Sequence, residues 1–362
     1  MMKRLAVVLS QGQSNNPTKR NLEEEIVAQL IGMPGIDVTI IPHLYDLKPD
    51  GTGMMALQGI GTDLIVLSWL YPRAAHWLLD RNEIRGQFGV SLLKSAADDD
   101  ESDESADSNL TEPDELRVIS QQPRPQRRIY CIDLQTTLKP RDYVDEVLRI
   151  QREANTQVVD LGSWISGTPS PAAAERFAQP TNDTALGNAG LGNTGLDNIG
   201  PASEAARIED SGDRRWYPVI DFSRCTNCME CIDFCLFGVY GVDAADTILV
   251  EQPDNCRKGC PACSRVCPEN AIIFPQHKSP AIAGADVAVS SLKIDLSKLF
   301  GAPDTDEDAI SIAARERDEQ LMLAGRDAVG TSVGMKKRSE QHAAAPKDEL
   351  DTLLDQLDDL DI

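Results

Sequence analysis

The sequence is poor in several features, and each shortage narrows its class. No apolar stretch approaches the ~20 residues a membrane-spanning helix requires, and the longest near the amino terminus, Leu5 to Leu9, has five. Lys3 and Arg4 precede that stretch in the manner of a secretion signal. Gln11, Gln13, Asn15 and Asn16 follow it, where small cleavage-site residues belong, so a cytoplasmic protein without membrane insertion is expected. Positive charge is in deficit. With 35 Lys and Arg against 58 Asp and Glu, the net charge of −23 argues against a large surface for nucleic-acid phosphate or anionic lipid. There are only four histidines, so an isolated His43 or His76 reads as a packing or surface residue before a ligand. Neither a GxGxxG run nor a P-loop lysine-serine pair occurs. No nucleophile–base pair stands out, and no catalytic residue is assigned.

What is present divides the chain. Its 362 residues are 41% hydrophobic and 26% charged, enough for two or three modest domains. The acidity is segregated: residues 96–116 contribute −10 and residues 304–362 contribute −9, which places the excess in tails and insertions. Strand-like runs at 5–10, 36–41, 62–70 and 128–134 alternate with helical stretches at 18–31, 73–80 and 141–153. That rhythm predicts an α/β domain with a mostly parallel sheet over residues 1–165, carrying a disordered acidic insertion at 96–126. Residues 166–213, rich in Gly, Pro, Asn, Ala and Ser with a period-five echo from Leu186 to Gly200, read as a flexible linker. Residues 281–362 read as an acidic tail. It ends in an amphipathic helix at 349–362, where Leu350, Leu353, Leu354, Leu357 and Leu360 form one stripe suited to docking in a partner groove.

Eight of the nine cysteines lie between positions 225 and 267. They follow the pattern Cys225-x2-Cys228-x2-Cys231-x3-Cys235, then Cys256-x3-Cys260-x2-Cys263-x3-Cys267-Pro268. In a reducing compartment such crowding points to metal ligation before disulfides. Three thiolates spaced at 0, 3 and 6 on one loop can grip three corners of an iron–sulfur cube, an arrangement a tetrahedral zinc site rarely asks of one loop. The fourth ligand then comes from elsewhere. Over residues 214–280 the sequence resembles a bacterial-type two-cluster ferredoxin, in which the last cysteine of each run serves the other cluster. The resemblance implies an α+β ferredoxin-like domain with two [4Fe-4S] clusters. Cys225, Cys228, Cys231 and Cys267 would hold one cluster, and Cys256, Cys260, Cys263 and Cys235 the other. It also implies a hairpin from 238–243 and 247–250, and a closing strand at 271–274 paired with 219–222.

Two departures from that pattern stand out. The second run opens with x3, and Leu236 stands where the family has proline after Cys235. Gly259 is expected to absorb the extra residue through a positive φ. Arg257 and Lys258 beside a ligand would favour the reduced cluster or an acidic partner, unless they simply form a solvated loop. Cys131 reads as a small buried hydrophobe.

In the first domain, the polar loop from Ser10 to Thr18 occupies the place where open α/β sheets bind anions. With one glycine it reads as a plain connection with an N-cap at Thr18. Trp69 and Tyr71 stand at or near a strand's carboxyl end, where a flavin ring could stack, but packing over the sheet edge is the preferred reading. A faint likeness to sirohydrochlorin-type chelatases rests on His76 alone, with Gln11 in the place of that family's first metal-binding residue. The leading expectation is an electron-transfer protein or subunit that docks to a redox protein partner. The alternatives are a flavin- or nucleotide-binding oxidoreductase fed by the ferredoxin module, and a zinc-bound interaction scaffold.

Overall fold

The computed structural model describes residues 4–93, 117–122, 124–155, 205–210, 213–285, 309–331 and 333. Most of the insertion expected at 96–126, most of the linker expected at 166–213 and the whole leucine helix expected at 349–362 lie outside the described residues.

The amino-terminal unit is a six-stranded, fully parallel sheet. Its strands are β1 (Leu5–Ser10), β2 (Ile36–Ile41), β3 (Leu64–Ser68), β4 (Gln87–Phe88), β5 (Arg128–Asp133) and β6 (Ala206–Arg207). They lie in the order β4-β5-β3-β1-β2-β6. Strands covered on both faces read as continuous apolar runs, and all five residues of β3 are buried. Alternation then sorts the side chains. Leu5, Val7 and Leu9, with Ile65, Leu67, Tyr130 and Ile132, pack under α1 (Pro17–Leu30) and α4 (Pro140–Asn155). Val8, Leu64, Val66, Ile129 and Cys131 pack under α2 (Thr52–Gln58) and α3 (Pro72–Arg81). The cap of α1 differs from expectation: the Asn16 side chain accepts the Thr18 N–H at 2.9 Å, because Pro17 at the first helical position has no N–H to satisfy.

The cysteine-bearing unit is a small α+β module. Strand β7 (Val219–Ile220) pairs antiparallel with β10 (Ile272–Ile273), and β8 (Tyr240–Val242) with β9 (Ile248–Val250). Two five-residue helices, α5 (Glu230–Phe234) and α6 (Ala262–Val266), repeat one design. Each ends at a cysteine whose N–H bonds back to the cysteine four residues earlier, Cys235 to Cys231 at 3.0 Å and Cys267 to Cys263 at 3.3 Å. A short helix, α7 (Pro280–Ala283), follows, and α8 (Ala309–Leu323) packs on α6 with Ala313, Ala314, Arg317 and Leu321 buried.

Two of these elements fall where the sequence suggested tail or linker. Helix α8 lies within 281–362, and β6 lies within 166–213, where Ala206 and Arg207 close on the open edge of β2 opposite Thr39 and Ile40. A turn at Val118–Gln121, inside the stretch expected as insertion, also attaches to the module. The Val118 and Ile119 amides donate to the Cys225 and Phe222 carbonyls, each at 3.0 Å.

The two units share a core. Tyr217, Val219 and Ile273 pack into the α3 side of the sheet beside Trp77. The Tyr45 and Tyr217 rings stack at 4.4 Å, and the Tyr45 hydroxyl both accepts the Tyr217 N–H and donates to its carbonyl. Arg73, near the start of α3, is 5% exposed. Its guanidinium pairs with the buried Asp221 carboxylate and donates to the Asn270 carbonyl, both at 2.5 Å. Those two partners lie shortly before Cys225 and shortly after Cys267, so one side chain fastens both flanks of the cysteine array.

Candidate metal centre

The eight clustered cysteines separate into two groups, all as free thiols. Cys225, Cys228, Cys231 and Cys267 line one small cavity together with Met229, Ile248 and Ile272. Cys235, Cys256, Cys260 and Cys263 line a second together with Phe234, Phe237 and Tyr240. Electrostatic contact among the sulfurs follows the same division. Cys231 feels Cys267, Cys225 and Cys228, while Cys263 feels Cys235, Cys256 and Cys260.

Local backbone geometry turns the thiols inward. In the first loop, Asn227 and Met229 take left-handed conformations, with φ of 61° and 65°, on either side of Cys228. The Asn227 side chain pins that loop to the hairpin through the Ile248 N–H and the Asp246 carbonyl. In the second loop the extra residue is absorbed at Gly259, whose φ of 85° is open to a residue without a side chain. Leu236, in the place of the missing proline, keeps its carbonyl bonded to the Arg326 guanidinium at 2.8 Å. Backbone amides also reach the sulfurs: Cys225 accepts from Asn227, Cys235 from Phe237 and Val239, Cys260 from Ala262, and Cys267 from Glu269, Ala271 and Ile272.

Burial pushes the Cys225 thiol up to about 12 and the Cys260 thiol up to about 11. It raises Cys231, Cys235, Cys256, Cys263 and Cys267 as well. Thiolates gathered in such apolar surroundings require positive charge at their centre, which a bound metal group would supply. The quartets do not close on a point: among the described residues, no three His, Cys, Asp or Glu side chains stand close enough to hold a single metal ion. Sulfurs spread around a cavity fit a polynuclear group better than one ion.

The other candidates fall apart spatially. Cys131 lies in β5 within the sheet core, its thiol raised to about 12 by burial. His76 is buried and stacked on Phe88 at 3.6 Å, and desolvation lowers its pKa to about 3, which keeps it neutral. His43 is likewise buried and lowered to about 4, chiefly by desolvation and against the pull of Asp46. Arg257 is exposed, with its guanidinium 5.5 Å from the centre of the Phe237 ring. The crevice between β1 and β3, where strand order reverses, is occupied by the chain itself. Buried Glu23 accepts the Gly12 N–H and the Trp69 indole N–H at 2.7 Å each, and Arg20 neutralises it. Trp69 is 9% exposed, with the Lys19 ammonium 4.1 Å from its ring. A side chain at residue 12 would meet that indole at 3.0 Å, so the loop is glycine for closeness to tryptophan and not for phosphate.

Sequence reasoning missed three residues. Arg317 reaches the second cavity from α8, Tyr240 donates its hydroxyl to the Cys263 sulfur at 3.1 Å, and Arg73 clamps the array from the sheet side. The spacing Ala313, Arg317, Leu321 carried the helical signal, but an arginine in the middle position hid it.

A comparison with known proteins matches this chemistry. An uncharacterized ferredoxin of Methanocaldococcus jannaschii is 47% identical over 77 residues, which is 20% of this chain and 52% of that protein. The chain therefore spans about half the length of that relative. No protein-family model and no solved structure matches. Part of the chain is thus similar to a ferredoxin, and no described helix is long and apolar enough to cross a membrane.

Proposed function

We propose that this protein carries electrons one at a time through two [4Fe-4S] clusters, as a carrier or as the electron-transfer subunit of a larger redox assembly. Cys225, Cys228, Cys231 and Cys267 hold the first cluster, and Cys235, Cys256, Cys260 and Cys263 the second. The observation that carries this reading is the division of the eight thiols into two quartets around two cavities, with Cys235 and Cys267 each on the far side from its own run. Each bound cluster supplies reversible one-electron chemistry. The chain does the rest: apolar walls exclude water, amides bond to sulfur, and the seam through Arg73 and Tyr217 fixes the module on the sheet.

The alternative of a flavin- or nucleotide-fed oxidoreductase is less well supported, because Glu23 ties Gly12 to Trp69 across the β1–β3 crevice such a cofactor would use. A zinc scaffold is less well supported, because each quartet is a triple on one run completed by a thiol from the other, where zinc modules present paired knuckles. The electron-transfer reading calls for a redox protein as partner and a compartment that keeps the thiols reduced, such as the cytoplasm. Its test is iron and acid-labile sulfide analysis of anaerobically purified protein, with electron paramagnetic resonance after reduction. Two reduced cubanes are expected; a colourless zinc protein would overturn the proposal.

A further inference from the structure

Resting on the two-cluster reading, we infer that the sites are built to different reduction potentials, with Arg317 and Tyr240 making the Cys235, Cys256, Cys260 and Cys263 site the more readily reduced. Reduction adds one negative charge to a cluster, so nearby cations and hydrogen bonds to sulfur raise its potential, and nearby carboxylates lower it.

The two cavities differ in this respect. The second is lined by Arg257 and Arg317, and the first by Glu230 and Glu269. Arg257 is exposed and screened by solvent. Arg317 is 1% exposed. Its guanidinium lies 4.5 Å from the Phe234 ring centre, beside Cys235, and acts on the Cys235 and Cys260 sulfurs. The Gly330 and Val333 carbonyls, at 2.6 and 2.9 Å, hold it in place without adding formal charge. The Tyr240 hydroxyl adds a bond to the Cys263 sulfur in a fully buried setting.

Two carboxylates offset part of that charge without lining the cavity: Asp318, 13% exposed, pairs with Arg317 at 3.1 Å, and Glu316, which also acts on the Cys260 sulfur, is half-buried and bonded to Arg265 at 3.0 Å. Backbone amides favour the first site slightly, since Cys267 alone accepts from three of them. What distinguishes the sites is the sign of the side chains on the cavity wall, Arg257 and Arg317 at the second against Glu230 and Glu269 at the first, with the Tyr240 hydroxyl added at the second. The pair is therefore polarised, and an electron shared between the sites rests at the second.

The test is a redox titration of the anaerobically purified full-length chain, followed by electron paramagnetic resonance. Two separate one-electron waves are expected in the unaltered protein. Arg317→Gln should lower the upper wave enough to cut its reduced-to-oxidised ratio at fixed potential about tenfold, which is about 59 mV for one electron. The lower wave should stay in place, and Arg317→Lys, which keeps the charge, should restore most of the shift. Tyr240→Phe keeps the ring and the fold while removing the hydroxyl, so it decides the matter even if the arginine variants loosen α8. It should move the upper wave alone, in the same direction and by less. A single merged wave, or a shift of the lower wave in Tyr240→Phe, would overturn the inference and leave the electron-carrier reading standing. Absence of any cubane signal in the unaltered protein would overturn both.

Discussion

Strands β1, β2, β3 and β5 are five or six residues long, whereas the strands of the cysteine module have two or three residues and its helices α5 and α6 have five. The sheet holds itself by burying apolar side chains on both faces, with Val7, Ile26, Leu64, Ile65 and Val66 wholly inaccessible. Elements as short as those of the module are marginal alone. On the two-cluster reading their order comes from the bound groups, together with a small apolar cluster and the seam against α3. The difference teaches that one chain can contain a unit specified by its hydrophobic pattern and another specified by its ligands.

The largest expected effect comes from removing a thiol. Cys267→Ser should abolish the first cluster's paramagnetic signal and unfold the module in its own low-temperature transition, since structural metal sites contribute on the order of 10 kcal/mol to folding. The sheet should still melt cooperatively at higher temperature. A single shared transition in calorimetry would break the comparison, making Tyr217, Val219 and Ile273 as necessary to the sheet as its own core. Next in size is the seam. Arg73→Met removes the nearest ion partner of the buried Asp221 carboxylate and leaves it Arg224 at 3.7 Å and the Ser223 N–H and hydroxyl, so a loss of about 3 kcal/mol is expected in denaturant titration, felt mainly by the module. Equal loss in both units would show that docking stabilises the sheet as much as what docks on it. The smallest effect belongs to the sheet alone. Asn16→Ala removes the cap of α1 and should cost about 1 kcal/mol with the iron content and redox waves unchanged.

The sheet was legible because β1 and β3 are apolar runs, β2 is rich in β-branched residues, β5 has an apolar centre, and helical stretches alternate with them. The edge strands β4 and β6 were not, because two residues cannot display a period. In the module, cysteine spacing announced metal chemistry, and the hairpin and closing strand lie where the ferredoxin pattern implies. What spacing could not convey is contact between distant segments. Arg73 merely opens the helical stretch read at 73–80, yet its partner Asp221 stands 148 residues away. Arg317 looked like one more charge in an acidic tail, and only the packing of α8 on α6 turns it toward the sulfurs.

The design shared by α5 and α6 bears on descent. Because each helix closes with a thiol that walls the opposite cavity, neither half could be trimmed away while the other kept a complete chamber. A lineage that shed one chamber would first have to recruit a replacement sulfur for the survivor, so deletion must pass through a crippled ancestor or remove both together.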